Sequence, residues 1–212
     1  MFFKASGRIP STTKRIIFNK NTLLAHDVGT GKTYIMIASG EELIRMGLSV
    51  KNMYVVPNNI LSQWADAYRY LYPNSKIKVC YPKDFAPLKR RNTLLDIKNN
   101  NYSAILLAHS SFDSLELADS IKIKNLEDEL VEIANLSQST ATSITRQAEI
   151  EDELQKLREK EEDINDDITF DKLGITRLYV DEAHYYKNVP IKTGLVNTLG
   201  ISSIGSLKCL GM

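Results

Sequence analysis

The chain of 212 residues is 43% hydrophobic and 25% charged, an ordinary globular composition with enough apolar material for a real core, in one large domain or one domain carrying an insertion. No apolar run approaches the roughly 20 residues needed to span a bilayer, and the start, MFFKASGRIP, lacks the apolar core of a signal peptide, so a cytoplasmic protein with no membrane partner is expected. The net charge of +1 hides an asymmetry: residues 1–110 carry 16 Lys/Arg against 6 Asp/Glu, and residues 111–212 carry 11 against 20, so the basic half suits a phosphate-bearing partner, with ordinary solvated faces as the competing reading.

In chain order, strands are predicted at residues 22–26 (TLLAH), 52–56 (NMYVV), 77–80 and 104–109 (AILLAH), with helices over 33–46, 60–71 and about 87–98. Strands that are apolar throughout and separated by helices imply a parallel sheet covered on both faces, an α/β three-layer domain. The pattern then breaks. From about Ser114 to Asp167 there is no strand signal, and Ile123, Leu126, Leu130, Ile133 and Leu136 recur at helical spacing. A polar stretch at 137–143 (SQSTATS) follows, then a second stripe at Ile150, Leu154, Leu157, Ile164 and Ile168. Two stripes joined by a Ser/Thr-rich turn predict an inserted antiparallel helical hairpin, either a solvated spacer or an arm for DNA or a partner domain. The α/β pattern returns with TFDKLG at 169–174 and an apolar strand at 177–180 (RLYV), and residues 185–212 read as loop. The expected division is a lobe of residues 1–113 and 169–212 with an insertion at 114–168. The two cysteines, Cys80 and Cys209, form no metal signature, and Cys80 in its apolar run is expected to be a buried thiol.

Two segments carry chemistry. LLAHDVGTGKT runs from a predicted strand through a glycine loop into a predicted helix, the context a phosphate-binding loop requires. Val28, Gly29, Thr30 and Gly31 would turn backbone N–H groups around phosphates at a helix N-terminus. Lys32 would neutralise the β- and γ-phosphates of ATP, and the Thr33 hydroxyl would ligate Mg²⁺. His26 stands where the general pattern has its first glycine. The second segment is DEAH, at the end of the 177–180 strand. Asp181 is suited to holding Mg²⁺ through its water shell and Glu182 to accepting a proton from an attacking water. A DExH alone could merely cap a helix; paired with GTGKT it points to one nucleotide site.

These segments carry a resemblance. AHDVGTGKT resembles motif I of superfamily 2 helicases, and DEAHYYKN resembles motif II of their Swi/Snf-type branch. MYVVPNNILSQWADAY is similar to motif Ia of that branch, and AILLAHSSFDSL to motif Ib. More closely, the chain resembles the helicase part of phage- and plasmid-borne methylase-helicase proteins, from about Asn19 to Lys208. The resemblance implies a RecA-like lobe acting on DNA with ATP and Mg²⁺. It implies that Pro57, Asn58, His109, Ser110 and Ser111 contact a nucleic-acid backbone, and that His184 couples the nucleotide to that surface. Trp64 reads as a core anchor, and Tyr185 and Tyr186 as packing residues. No Ser/Thr-Ala/Gly-Thr-Pro segment follows DEAH, and no full glutamine-bearing adenine motif precedes the glycine loop. The expectation is one lobe of a motor that needs a second RecA-like lobe, in the same parent chain or a separate one. The alternative is a nucleotide- or DNA-binding module without motor activity.

Overall fold

Four short, mainly apolar runs pair here into a single parallel sheet. They are β1 (Asn52–Val56), β2 (Ile77–Cys80), β3 (Ala104–Ala108) and β4 (Arg177–Val180), arranged across the sheet as β2-β3-β1-β4. The computed structural model describes residues 8–19, 21–25, 27, 29–135, 141–161 and 168–186. Register is continuous across the centre: Tyr54 lies opposite Leu106 on one side and Tyr179 on the other. Every residue of β1 and β3 is buried, as parallel strands covered on both faces should be. The helices of this unit are α1 (Arg8–Phe18), α2 (Lys32–Arg45), α3 (Leu61–Leu71), α4 (Pro87–Asn99) and the single turn α5 (His109–Phe112).

The largest buried side chains gather around Tyr54. Its ring stacks on Tyr179 at 4.8 Å and 9°, meets Tyr68 edge-on at 5.7 Å, and tilts against Trp64 at 5.9 Å. Trp64 and Tyr68 reach it because α3 buries Leu61, Trp64, Ala65 and Tyr68, positions i, i+3, i+4 and i+7 of one helical face. The Cys80 thiol ends β2 fully buried, and burial pushes it up to about 12.

The α/β architecture agrees with the expectation, and three boundaries differ. Residues 22–25 of the expected 22–26 strand carry no strand ladder, while His26 lies outside the described residues. Their exposure still alternates: Thr22 and Leu24 are half-buried, and Leu23 is 82% exposed. The segment is extended and one-sided, yet no described neighbour supplies the hydrogen-bonded ladder that defines a strand. The strand expected to end at His109 ends at Ala108, because His109 opens α5. The polar stretch expected as a turn over 137–143 yields to helix from Ala141, and residues 136–140 lie outside the description. Helix α1 had no counterpart in the sequence reading; Ile16 and Ile17 pack from it against the core.

The chain divides into two compact units, Met1–Leu115 with Leu173–Met212, and Glu116–Lys172. The second contains α6 (Asp119–Asn135) and α7 (Ala141–Glu161). Ile123, Leu126, Leu130 and Ile133 are half-buried along α6, and Ile150 and Leu154 are buried on α7. Ion pairs Arg146–Glu129 (3.2 Å) and Arg158–Glu127 (2.7 Å) tie the two helices. At the neck, Phe170 N–H donates to the Glu116 carbonyl at 2.8 Å, and Ala118 N–H to Asp171 Oδ1 at 3.2 Å. Leu136 and Ile164 of the predicted stripes lie outside the described residues. No described helix is long and apolar enough to cross a membrane.

Candidate functional site

In a parallel sheet all C-terminal strand ends fall on one edge, where open α/β sheets place their ligands. Along that edge stand the loop after β2, then His109 and Ser110 after β3, Pro57 and Asn58 after β1, and Asp181 after β4. Asp181 is held on four sides. Its N–H donates to the Val55 carbonyl at 2.8 Å. Its Oδ2 accepts the Trp64 indole N–H at 3.3 Å, and its Oδ1 accepts the Glu182 N–H at 3.0 Å. Its carbonyl oxygen lies 2.9 Å from His109 Nε2. A carbonyl can only accept, so Nε2 carries a proton, and Nδ1 lies 3.0 Å from the Tyr186 hydroxyl. The Tyr186 hydroxyl also lies 3.4 Å from Asp113 Oδ1.

Glu182 follows with φ 52°, a left-handed conformation held by a residue other than glycine. Such a backbone costs about 1–3 kcal/mol and persists only where its surroundings over-determine it. Here the bonds to Asp181 on one side do so, with the Tyr185 N–H donating to the Glu182 carbonyl at 3.1 Å on the other. The Glu182 carboxylate is exposed and lies 3.1 Å from His184 Nδ1. His184 in turn stacks on the exposed Tyr185 at 4.6 Å.

The glycine loop leads into α2. Gly29 and Gly31 take φ of 81° and 83°, a conformation that L side chains adopt only with strain. No atom lies within 4 Å of where a Gly29 Cβ would sit, so the glycine is required by backbone conformation rather than by crowding. The Asp27 carbonyl accepts the Thr30 hydroxyl at 2.7 Å and Lys32 Nζ at 3.5 Å. Lys32 and Thr33 form the first turn of α2, where unpaired N–H groups and the helix dipole favour an anion. Val28 lies outside the described residues.

Lys32, Asp181, Glu182 and His184 line one cleft of about 440 Å³, whose apolar wall includes Leu24 and Met36. The donor set suits a metal–phosphate group: a cation and a helix N-terminus face two carboxylates, with glycines at the approach. The residues expected at a nucleic-acid face separate into two kinds. Asn58 and Ser110 are exposed, and the Asn58 amide donates to the Ser110 hydroxyl at 3.1 Å; Pro57 is half-buried beside them. The His109 and Ser111 side chains turn inward, at 8% and 2% exposure.

Two residues gain roles that their sequence reading lacked. Trp64 is the expected core anchor, at 2% exposure, yet its indole N–H also grips Asp181. Tyr186 packs edge-on against Phe112 at 6.2 Å and also orients the His109 ring. The only sequence signal was that both are aromatic residues with a polar handle, which seek a hydrogen-bond partner when buried.

Fold and edge together define a three-layer, RecA-like α/β lobe. The chain belongs to the family described as "probable helicase domain", which it matches over residues 15–212. No curated protein and no solved structure matches it.

Proposed function

We propose that the sheet-bearing unit is the ATP·Mg²⁺-binding lobe of a DNA helicase or translocase of the superfamily 2, Swi/Snf-type branch. The observation that carries this reading is the convergence of Lys32 with Asp181 and Glu182 on one cleft. Lys32 binds the terminal phosphates, Thr33 and Asp181 hold Mg²⁺, and Glu182 takes the proton of the attacking water. Bound Mg²⁺ would supply charge neutralisation on the phosphate oxygens. Asn58 and Ser110, on neighbouring loops of the same edge, present hydrogen-bonding groups to a DNA backbone, a kind of contact that positions a strand without reading its bases. A second RecA-like lobe would close the cleft and bring the arginine that stabilises transition-state charge. The lobe alone therefore binds ATP·Mg²⁺ weakly and turns it over slowly. The same motifs favour a source in a mobile genetic element.

The test is binding of a fluorescent ATP analogue with Mg²⁺, together with phosphate release, with and without duplex DNA. Lys32→Ala should lose binding by tenfold or more. Glu182→Gln should keep binding and lose the residual turnover. Nucleotide affinity unchanged in Lys32→Ala would sink the reading. Fast DNA-stimulated turnover by this chain alone, abolished in both variants, would retain the site and overturn the need for a second lobe.

A further inference from the structure

We propose that His109 is a positioning residue coupling the DNA-facing loops to the acidic turn; the inference rests on the motor reading above. The backbone of His109 opens α5 directly before Ser110, whose hydroxyl is bonded to Asn58 on the loop after β1. Its ring points the other way and holds the Asp181 carbonyl at 2.9 Å. That carbonyl belongs to the peptide unit joining Asp181 to Glu182, so its orientation helps set the backbone of Glu182. One residue thus touches both places: its main chain adjoins the exposed Asn58–Ser110 pair, and its imidazole fixes the peptide beneath the proposed general base.

Two observations make the link more than packing. Glu182 is held at φ 52°, and the strain of such a turn is similar in size to one buried hydrogen bond. Loss of the His109 bond is therefore enough to shift the turn between conformations. The imidazole is also oriented at its far side, where Nδ1 is hydrogen-bonded to the buried Tyr186 hydroxyl at 3.0 Å. A strand pressing on Asn58 and Ser110 displaces α5, and the ring carries that displacement to Glu182. Coupling of this kind is reciprocal: DNA tightens the nucleotide by the factor with which nucleotide tightens DNA.

The experiment uses the full chain, a fluorescent ATP analogue with Mg²⁺ and a short duplex, and measures each affinity with and without the other ligand. The parent should show a coupling factor of about fivefold or more, equal in both directions. Tyr186→Phe, which keeps the ring against Phe112 and removes the hydroxyl, should leave each separate affinity within about twofold and cut the coupling factor towards one. His109→Leu should abolish coupling, and His109→Gln, which retains a side-chain N–H donor, should restore part of it. A purely structural role would lower the melting temperature in all three variants and leave the coupling factor unchanged; that pattern overturns the proposal. It also fails if the parent binds both ligands independently. A parent that binds neither ligand overturns the motor reading, and the coupling falls with it.

Discussion

Gly40 lies inside α2, where alanine would ordinarily be favoured over glycine by about 1 kcal/mol. Its surroundings reverse that preference. A Cβ there would overlap the Tyr54 hydroxyl oxygen, and would sit 2.9 Å from Asn52 Nδ2 and 3.1 Å from Tyr54 Cζ. Neither neighbour can withdraw easily. Tyr54 is clamped between Tyr179 and the edge of Tyr68, and the Asn52 amide donates to the Gly40 carbonyl itself at 2.9 Å. Overpacking a rigid core costs about 1–3 kcal/mol, which outweighs the gain in helix propensity. Gly40→Ala should therefore lower stability by about 2 kcal/mol in urea unfolding followed by circular dichroism. Adding Tyr54→Phe removes the worst overlap and should recover part of the loss, with the two substitutions coupled rather than additive. A Gly40→Ala protein as stable as its parent would show that α2 can move away from β1.

Between elements, β2 and α4 are joined by Lys78 and Asp96, 2.6 Å apart and each about a third exposed. The same carboxylate accepts the Asn100 amide at 2.7 Å and the Tyr102 hydroxyl at 3.2 Å, so it also ties down the end of α4. The bond from Lys78 holds the Asp96 carboxyl below its usual range, and the Lys78 ammonium is raised in turn. A carboxyl with a depressed folded pKa contributes stability that is present above its unfolded value, about 3.9, and is lost as pH falls through the folded value. Asp96→Asn should thus lower stability at pH 7 by no more than about 1 kcal/mol given the solvent screening of the pair, read as a fall in melting temperature. The gap between variant and parent should narrow below about pH 4; a gap independent of pH would assign the loss to the end of α4 rather than to the charge. The elements themselves were legible in unequal degree. The strands at 52–56, 77–80 and 177–180 stand where their short, mainly apolar runs predict, because the tendency to pack into a sheet is written into each segment locally. Residues 22–25 show the limit of that logic, since a strand needs a hydrogen-bonded partner as well as its own sequence. In the site, the glycine loop and DEAH were legible as local motifs. The grip of Trp64 on Asp181 and of His109 on the following peptide was not, because each joins residues far apart in the chain and leaves no periodic trace.

At the scale of the whole molecule, the charge asymmetry follows the two units. Glu116–Lys172 carries seventeen Asp/Glu against seven Lys/Arg, while the sheet-bearing unit carries nine against twenty. An acidic hairpin is a poor ligand for phosphates, so on the motor reading proposed above the contacts with a DNA backbone would fall to the basic unit, and to the sheet edge bearing Asn58 and Ser110. The loop after β2 extends that edge. Lys83, 5.7 Å from the Tyr81 ring centroid, and Lys89 at the start of α4 are both exposed there, whereas Arg90 is engaged with the Ser114 carbonyl. Each phosphate neutralised on duplex DNA contributes about 0.9 to the slope of log affinity against log salt. If Lys83 and Lys89 each meet a phosphate, Lys83→Ala/Lys89→Ala should reduce that slope by about 2 and weaken duplex binding most at low salt. Nucleotide affinity without DNA should not change, since neither lysine lines the cleft. Neutralising the hairpin's Glu151 and Glu153 to Gln should leave the slope unaltered, because removing charge from a unit that meets no phosphate releases no counterions. A slope unmoved by the double lysine variant, or lowered by the hairpin variant, would place the DNA on the other unit.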